Sequence, residues 1–157
     1  MLWLITTSNP FVPNIEKMSR DLNTSKEYIY HYLEYLESAG LVISLKGSGA
    51  GYKLVRKPSK LYIENTNLIN GITGDLKINS PLGNIRETFF VNQIKRAGLK
   101  INVFPDADFI VDDRIVFEVG GASKNKKQIR NLEQSYLVLE NIEVGYKQKI
   151  PLYLFGF

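Results

Sequence analysis

Cysteine is absent from this 157-residue chain and histidine occurs once. The first absence excludes disulfides and thiolate metal sites and fits a reducing cytoplasm; the second leaves His31 alone and excludes a multi-histidine metal centre. No apolar run approaches the roughly 20 residues of a membrane span. The opening Met1-Leu2-Trp3-Leu4-Ile5 is too short for a secretion signal and lacks its basic start, so a cytoplasmic protein without membrane contact is expected. No G-x-x-x-x-G-K-[ST] pattern occurs, and the loop from Gly47 to Gly51 lacks the Lys-Ser/Thr that cradles phosphate, which excludes P-loop ATP hydrolysis by this chain. Strong charge of either sign is also missing: the net charge of +4 permits contact with nucleic acid but falls far below that of a dedicated binder. Hydrophobic residues make up 44%, enough for one full core or two small ones.

What is present divides near residue 75. The first part reads as helix, helix, helix, hairpin. Leu2 to Thr7 begins helically and Pro10 to Pro13 breaks it. Asn14 can cap a short helix with Ile15, Met18 and Leu22 on its apolar side. Thr24 or Ser25 caps a longer helix with Ile29, Leu33 and Leu36 on its buried stripe, ending at Ala39-Gly40. Leu41-Val42-Ile43 starts a strand, Lys46 to Gly51 makes a loop tip, and Tyr52 to Val55 is the expected return strand. Helix, turn, helix and two-stranded wing is the winged-helix pattern, a DNA-binding architecture. The exposed side of its second helix is nevertheless acidic, with Glu27, Glu34 and Glu37 beside His31 and Ser38. The basic residues sit on and after the wing as Lys46, Lys53, Arg56, Lys57 and Lys60, a strip suited to a sequence-tolerant grip on a phosphate backbone or, as a solvated surface, to none. Tyr28, Tyr30, Tyr32 and Tyr35 crowd the same helix and are expected to pack against a neighbouring domain rather than stack on bases.

The clearest chemistry lies between Asp108 and Glu118. Two apolar strands, Phe109 to Val111 and Ile115 to Val119, flank the acidic turn Asp112-Asp113-Arg114, with a carboxylate at each outer end. A three-residue loop sets Asp108 opposite Glu118 and gathers Phe109, Val111, Ile115, Phe117 and Val119 on one apolar face; a two-residue turn separates the acids unless a bulge intervenes. With Glu87 in the preceding helix-like run, the acids could hold Mg2+ through hard oxygen ligands; the bland alternative is a pair of solvated acids on an ordinary hairpin. Lys60 to Asn70 reads as a connector strand and short helical turn, and Gly71 to Pro81 as loop. Beyond the hairpin, a basic helix from Lys124 to Leu132, a strand from Ser135 to Leu139 and a last strand from Ile150 to Phe157 complete an αβββαβ order.

Helix with Glu87, strand with Asp108, strand with Glu118 resembles the core of PD-(D/E)XK nucleases, except that Gly120 stands where the pattern has lysine. The runs Leu61 to Leu68, Ile85 to Phe90, Ala107 to Gly121 and Ile142 to Gly145, with the ending Ile150 to Phe157, resemble the C-terminal region of a family of bacterial and archaeal AAA-type ATPases, whose P-loop motor precedes a winged helix and a restriction-endonuclease-like domain of unknown function. The resemblance implies an α+β chain with a winged helix in residues 1–60 and an endonuclease-like domain in residues 61–157. It also implies an ATPase partner in the same or a related chain, and leaves Leu2 to Ile5 as an exposed helix edge prone to self-association.

Two functions follow as expectations. One is an accessory region of such an ATPase, contacting protein or nucleic acid with weak or no catalysis. The other is a Mg2+-dependent nuclease in which Glu87, Asp108 and Glu118 hold the metal, Lys124, Lys126 or Lys127 replaces the missing lysine, and Lys53, Arg56, Lys57, Lys60 and Arg130 contact nucleic acid.

Overall fold

Asn14 and Ser25 start their helices by accepting from backbone N–H groups three residues on, Lys17 at 3.0 Å and Tyr28 at 3.4 Å. In the computed structural model, which describes residues 1–8, 11–49, 58–75 and 78–157, these helices are α2 (Ile15–Asp21) and α3 (Lys26–Ser38), preceded by α1 (Leu2–Thr7). Two strands follow, β1 (Val42–Leu45) and β2 (Lys60–Ile63), and pair antiparallel with Val42 opposite Ile63. The expected return strand from Tyr52 to Val55 lies outside the described residues. The strand expected as a connector is β1's hydrogen-bonding partner.

Ile29 and Leu33 of α3 pack with Ile5, Ile15, Met18, Val42, Leu61 and Ile63 in one core. The sequence stripe placed them correctly because the period of 3.6 puts positions four apart on one face. Two expectations about the surface of this part are overturned. Leu2 to Ile5 is not an exposed edge: Ile5 is fully buried, Met1 and Leu2 pack on the core, and only Trp3 and Leu4 face outward. Nor do the α3 tyrosines pack on a second domain, since Tyr30 joins the core while Tyr28, Tyr32 and Tyr35 are 59%, 47% and 66% exposed.

The remainder begins with α4 (Thr66–Asp75), which takes in residues expected as loop, and α5 (Leu82–Arg96). A five-stranded sheet follows in spatial order β3 (Ile101–Val103), β4 (Phe109–Val111), β5 (Ile115–Gly120), β6 (Ser135–Leu139) and β7 (Lys149–Pro151), antiparallel up to β5 and parallel from β5 to β7. The hairpin adopts the three-residue loop: Phe109 pairs with Phe117 and Val111 with Ile115. Asp112 and Asp113 take positive φ, which aspartate tolerates better than most residues. No helix forms from Lys124 to Leu132. Turns take its place, with Ile129 bonding Lys126 and Leu132 bonding Ile129 in three-residue steps, and the Ser135 hydroxyl donates to the Ile129 and Leu132 carbonyls. The expected last strand is shortened to β7, and Leu152–Gly156 winds into a 3-10 helix.

Phe109, Val111, Phe117 and Val119 face α5 across a core that includes Phe90, Val91 and Ile94. The opposite face of the sheet is covered as well, by Ile129 and Leu132 against Val116, Leu137 and Leu139. The small β1–β2 sheet is a shared wall. Val42, Leu61 and Ile63 point into the helical core, while Ile43, Leu45 and Tyr62 point into the core under α5. Backbone bonds from Val103 to Lys46 and from Ser48 to Val103, both 2.8 Å, continue that wall onto the β3 edge.

Candidate functional site

β-Pairing of Phe109 with Phe117 makes Asp108 and Glu118 the next opposed pair, and each is held by the other's strand. The Asp108 backbone N–H donates to Glu118 Oε2 at 3.0 Å, and the Val119 N–H donates to Asp108 Oδ2 at 2.9 Å. Glu87 approaches from α5, on the side of that helix that also buries Asn84, Thr88 and Val91.

Two ammonium groups fill the spaces between these acids. Lys124 Nζ lies 2.7 Å from Glu118 Oε1 and 3.2 Å from Asp108 Oδ2, and donates to the Val119 carbonyl at 2.8 Å. Its stem crosses Gly120, where a β-carbon would overlap the Lys124 Cδ. Lys60 Nζ lies 3.2 Å from Glu87 Oε2 and 3.9 Å from Asp108 Oδ1, above the Phe109 ring, and its side chain is only 14% exposed. The order Glu87, Lys60, Asp108, Lys124, Glu118 alternates in sign, and the Tyr62 hydroxyl closes one end by donating to Glu87 Oε2 at 2.6 Å.

Burial raises the carboxyl pKa of Glu87 above its ordinary value despite the opposing charge of Lys60, and burial raises Glu118 likewise against its hydrogen bond from Lys124. Burial alone would lower Lys124; the Glu118 hydrogen bond and the charges of Asp108 and Glu118 outweigh it and hold the amine protonated. Tyr62 is pushed far upward by burial and by the Glu87 charge, so its phenol remains a donor.

Glu87, Asp108, Glu118, Lys124 and Lys60 are therefore brought together, and Lys126, Lys127 and Arg130 are not. Lys126 turns away to hydrogen-bond Gln148, and Lys127 and Arg130 are exposed in the turns that replace the expected helix. Without a helix there, residues three or four apart do not share a face. Lys60 is not part of a solvated basic strip: as the first residue of β2 it points inward. Lys53, Arg56 and Lys57 lie outside the described residues. Tyr62 was missed altogether, although the alternation of β2 places it on the side of Lys60. Arg86, one residue before Glu87, points elsewhere: it binds Glu140 at 2.6 Å in the wall of a separate groove of about 660 Å³ beside Phe89 and Tyr153.

As for a divalent cation, carboxylate oxygens have the right hardness for Mg2+, and the gaps between them already hold positive charge. Among the described residues no three Asp, Glu or His side chains are arranged around one ion position; the lysines occupy the intervening space.

Helix, turn, helix and a paired two-stranded sheet define the first part of the chain as a winged helix within a mixed α+β fold. A family model described as Rrf2, iron-dependent transcriptional regulator, matches residues 1–83, and the chain belongs to that family. No curated protein and no solved structure matches it. The iron in the family's description has no thiolate to bind here, because the chain contains no cysteine, and its lone histidine, His31, is on the surface of α3 beside Glu34. Among the described residues no helix is long and apolar enough to cross a membrane.

Proposed function

We propose that this chain is a nucleic-acid-binding winged-helix protein whose second half carries a phosphodiester-directed site of the PD-(D/E)XK nuclease kind. The observation that carries the reading is Lys124. Its stem crosses the glycine that occupies the lysine position of that pattern, and its ammonium rests between the second and third acids. Chain order supports it too: a helix with Glu87, an antiparallel hairpin with Asp108 and Glu118, then the parallel β6. The division into a winged helix of residues 1–60 and a restriction-endonuclease-like half of residues 61–157 belongs to this reading, with Lys60 on the seam.

On this reading Glu87, Asp108 and Glu118 are the residues that would hold Mg2+ once the lysines give way, and the ion would supply Lewis-acid chemistry at the phosphate. Lys124, fixed by Glu118 and the Val119 carbonyl, keeps a positive charge where negative charge grows during attack on phosphorus. Lys53, Arg56, Lys57 and Arg130 supply a sequence-tolerant hold on the backbone. The acidic exposed side of α3 does not serve that purpose. DNA is the first polymer to test, since the matched family is one of transcriptional regulators.

The experiment is nicking of supercoiled DNA, and in parallel of RNA, with and without Mg2+. Nicking that depends on Mg2+ and disappears in both Lys124→Ala and Glu118→Gln is the expected result. A second reading is a non-catalytic accessory region of an AAA-type ATPase in the same or a related chain, favoured by the lysines that fill the gaps between the acids. It is the reading that stands if the unaltered protein gives no Mg2+-dependent cleavage.

A further inference from the structure

The groove walled by Arg86 and Glu140 takes no part in the acid–lysine cluster, although Arg86 and Glu87 are neighbours on α5. Residues three apart on a helix share a face and adjacent ones do not, so Glu87 points to the acids while Arg86 and Phe89 line the groove. Another wall starts where β6 ends: the Glu140 N–H still donates to the Gly120 carbonyl at 2.9 Å, and Asn141, at positive φ, turns the chain away. Leu152 and Tyr153 of the 3-10 helix close the groove further. It lies at the carboxyl ends of the parallel strands β5, β6 and β7, where open sheets of this kind bind ligands. Its volume of about 660 Å³ is within the roughly 300–1,000 Å³ of small-molecule sites.

We infer that this groove is a nucleobase pocket for guanine, which it holds by one edge and one flat face. Arg86 Nε donates to Glu140 Oε2 at 2.6 Å, and Nη2 lies 2.6 Å from the same oxygen. Among the described residues nothing bonds to Glu140 Oε1 or to Arg86 Nη1, so a charged acceptor and a charged donor stand side by side, fixed by the ion pair that joins them. Guanine carries the complement on one edge, two N–H donors beside the O6 acceptor, whereas adenine and cytosine offer a carboxylate a single amino group. Phe89 and Tyr153 bring aromatic rings to the same space, and the Tyr153 hydroxyl donates to the Glu143 carbonyl at 2.8 Å, which pins its half-exposed ring where a base can stack. With Glu143 also in the lining, two carboxylates stand against one guanidinium, which suits a neutral base and not a phosphate. The same contacts serve a free nucleoside and a guanine splayed out of a single strand. None of them uses the acids or lysines of the neighbouring cluster, so the pocket is independent of the nuclease reading.

The test is equilibrium dialysis of the full chain, without divalent metal, against labelled guanosine, adenosine and cytidine, with fluorescence anisotropy of a dT oligonucleotide carrying one central dG and of dT alone. Guanosine is expected to bind about tenfold or more tightly than adenosine or cytidine. Glu140→Ala and Tyr153→Ala, each folded by circular dichroism, are expected to weaken it about tenfold by removing the acceptor and the stacking ring; Tyr153→Ala carries the test should the loss of Glu140 disturb the fold. If free guanosine does not bind but the dG oligonucleotide binds more tightly than dT and loses that preference in a folded variant, the pocket stands and its base comes from a strand. Equal binding of the three nucleosides, guanosine binding that the folded variants retain in full, or no preference for guanine in either nucleosides or oligonucleotides overturns the inference.

Discussion

Lys124 lies across Gly120. A β-carbon at position 120 would overlap the Lys124 Cδ, so the two positions cannot both carry a long side chain in the arrangement present. The glycine is thus the condition for the lysine's path, and a substitution at one site has to be judged together with the other.

From this follows a swap experiment. Gly120→Lys alone displaces Lys124 and lowers any Mg2+-dependent nicking. The double variant Gly120→Lys with Lys124→Ala returns an ammonium to the same space and recovers activity lost in Lys124→Ala, by tenfold or more. Equal activity of the single Lys124→Ala and the double variant would show that the ammonium's position is not what matters.

Glu118 is the least exposed acid of the site, and its charge is matched chiefly by Lys124. Truncating Glu118 takes one of two carboxylates from the Lys124 ammonium, which keeps Asp108 and the Val119 carbonyl, so Glu118→Ala is expected to cost about 1–3 kcal/mol by urea unfolding. Removing both side chains in Glu118→Ala with Lys124→Ala should cost less than the sum of the single changes, and strict additivity would deny the coupling.

The raised carboxyl pKa values of Glu87 and Glu118 make a pH prediction with a definite sign. A group whose folded pKa lies above its unfolded value gives stability that is present below the unfolded value, here 4.5, and lost as pH rises through the folded value. These two acids therefore lower Tm as pH rises above 4.5. Glu87→Gln keeps an oxygen for the Tyr62 hydroxyl and removes the titration, so its Tm should fall less than that of the unaltered chain over the same range. Parallel Tm profiles for the two proteins would contradict the assignment.

On α3, neighbouring positions should differ sharply. Leu33→Ala removes a buried side chain and is expected to cost about 2–5 kcal/mol. Tyr28→Ala, Tyr32→Ala and Tyr35→Ala remove exposed rings and should each stay within about 0.5 kcal/mol. A large loss at any of the three would mean that its ring is covered in solution.

Local pattern carried the helical part and the acidic hairpin, because both are short-range problems. Asn14 and Ser25 cap their own helices. The alternation of residues 109–119 leaves one register in which the apolar side is unbroken, and that register set Asp108 opposite Glu118. The remainder depends on the packing of distant elements. Lys60 reads as one more cation in a basic stretch until α5 is known to pass beside β2. The stretch from Lys124 to Leu132 is rich in helix formers, but the sheet requires only Ile129 and Leu132 from it, and turns deliver both. Which lysine would reach the acids depended on that irregular path, so Lys124, Lys126 and Lys127 were equivalent by composition and are not in space.

The shared wall formed by β1 and β2 bears on how the molecule comes apart. Alternate residues of both strands belong to different cores, and Asn84 of the site helix donates to the Ile5 and Thr6 carbonyls at the end of α1, at 2.9 and 3.2 Å. Neither half can lose its packing without stripping one face of the other, so the chain melts as a single cooperative unit with one calorimetric transition.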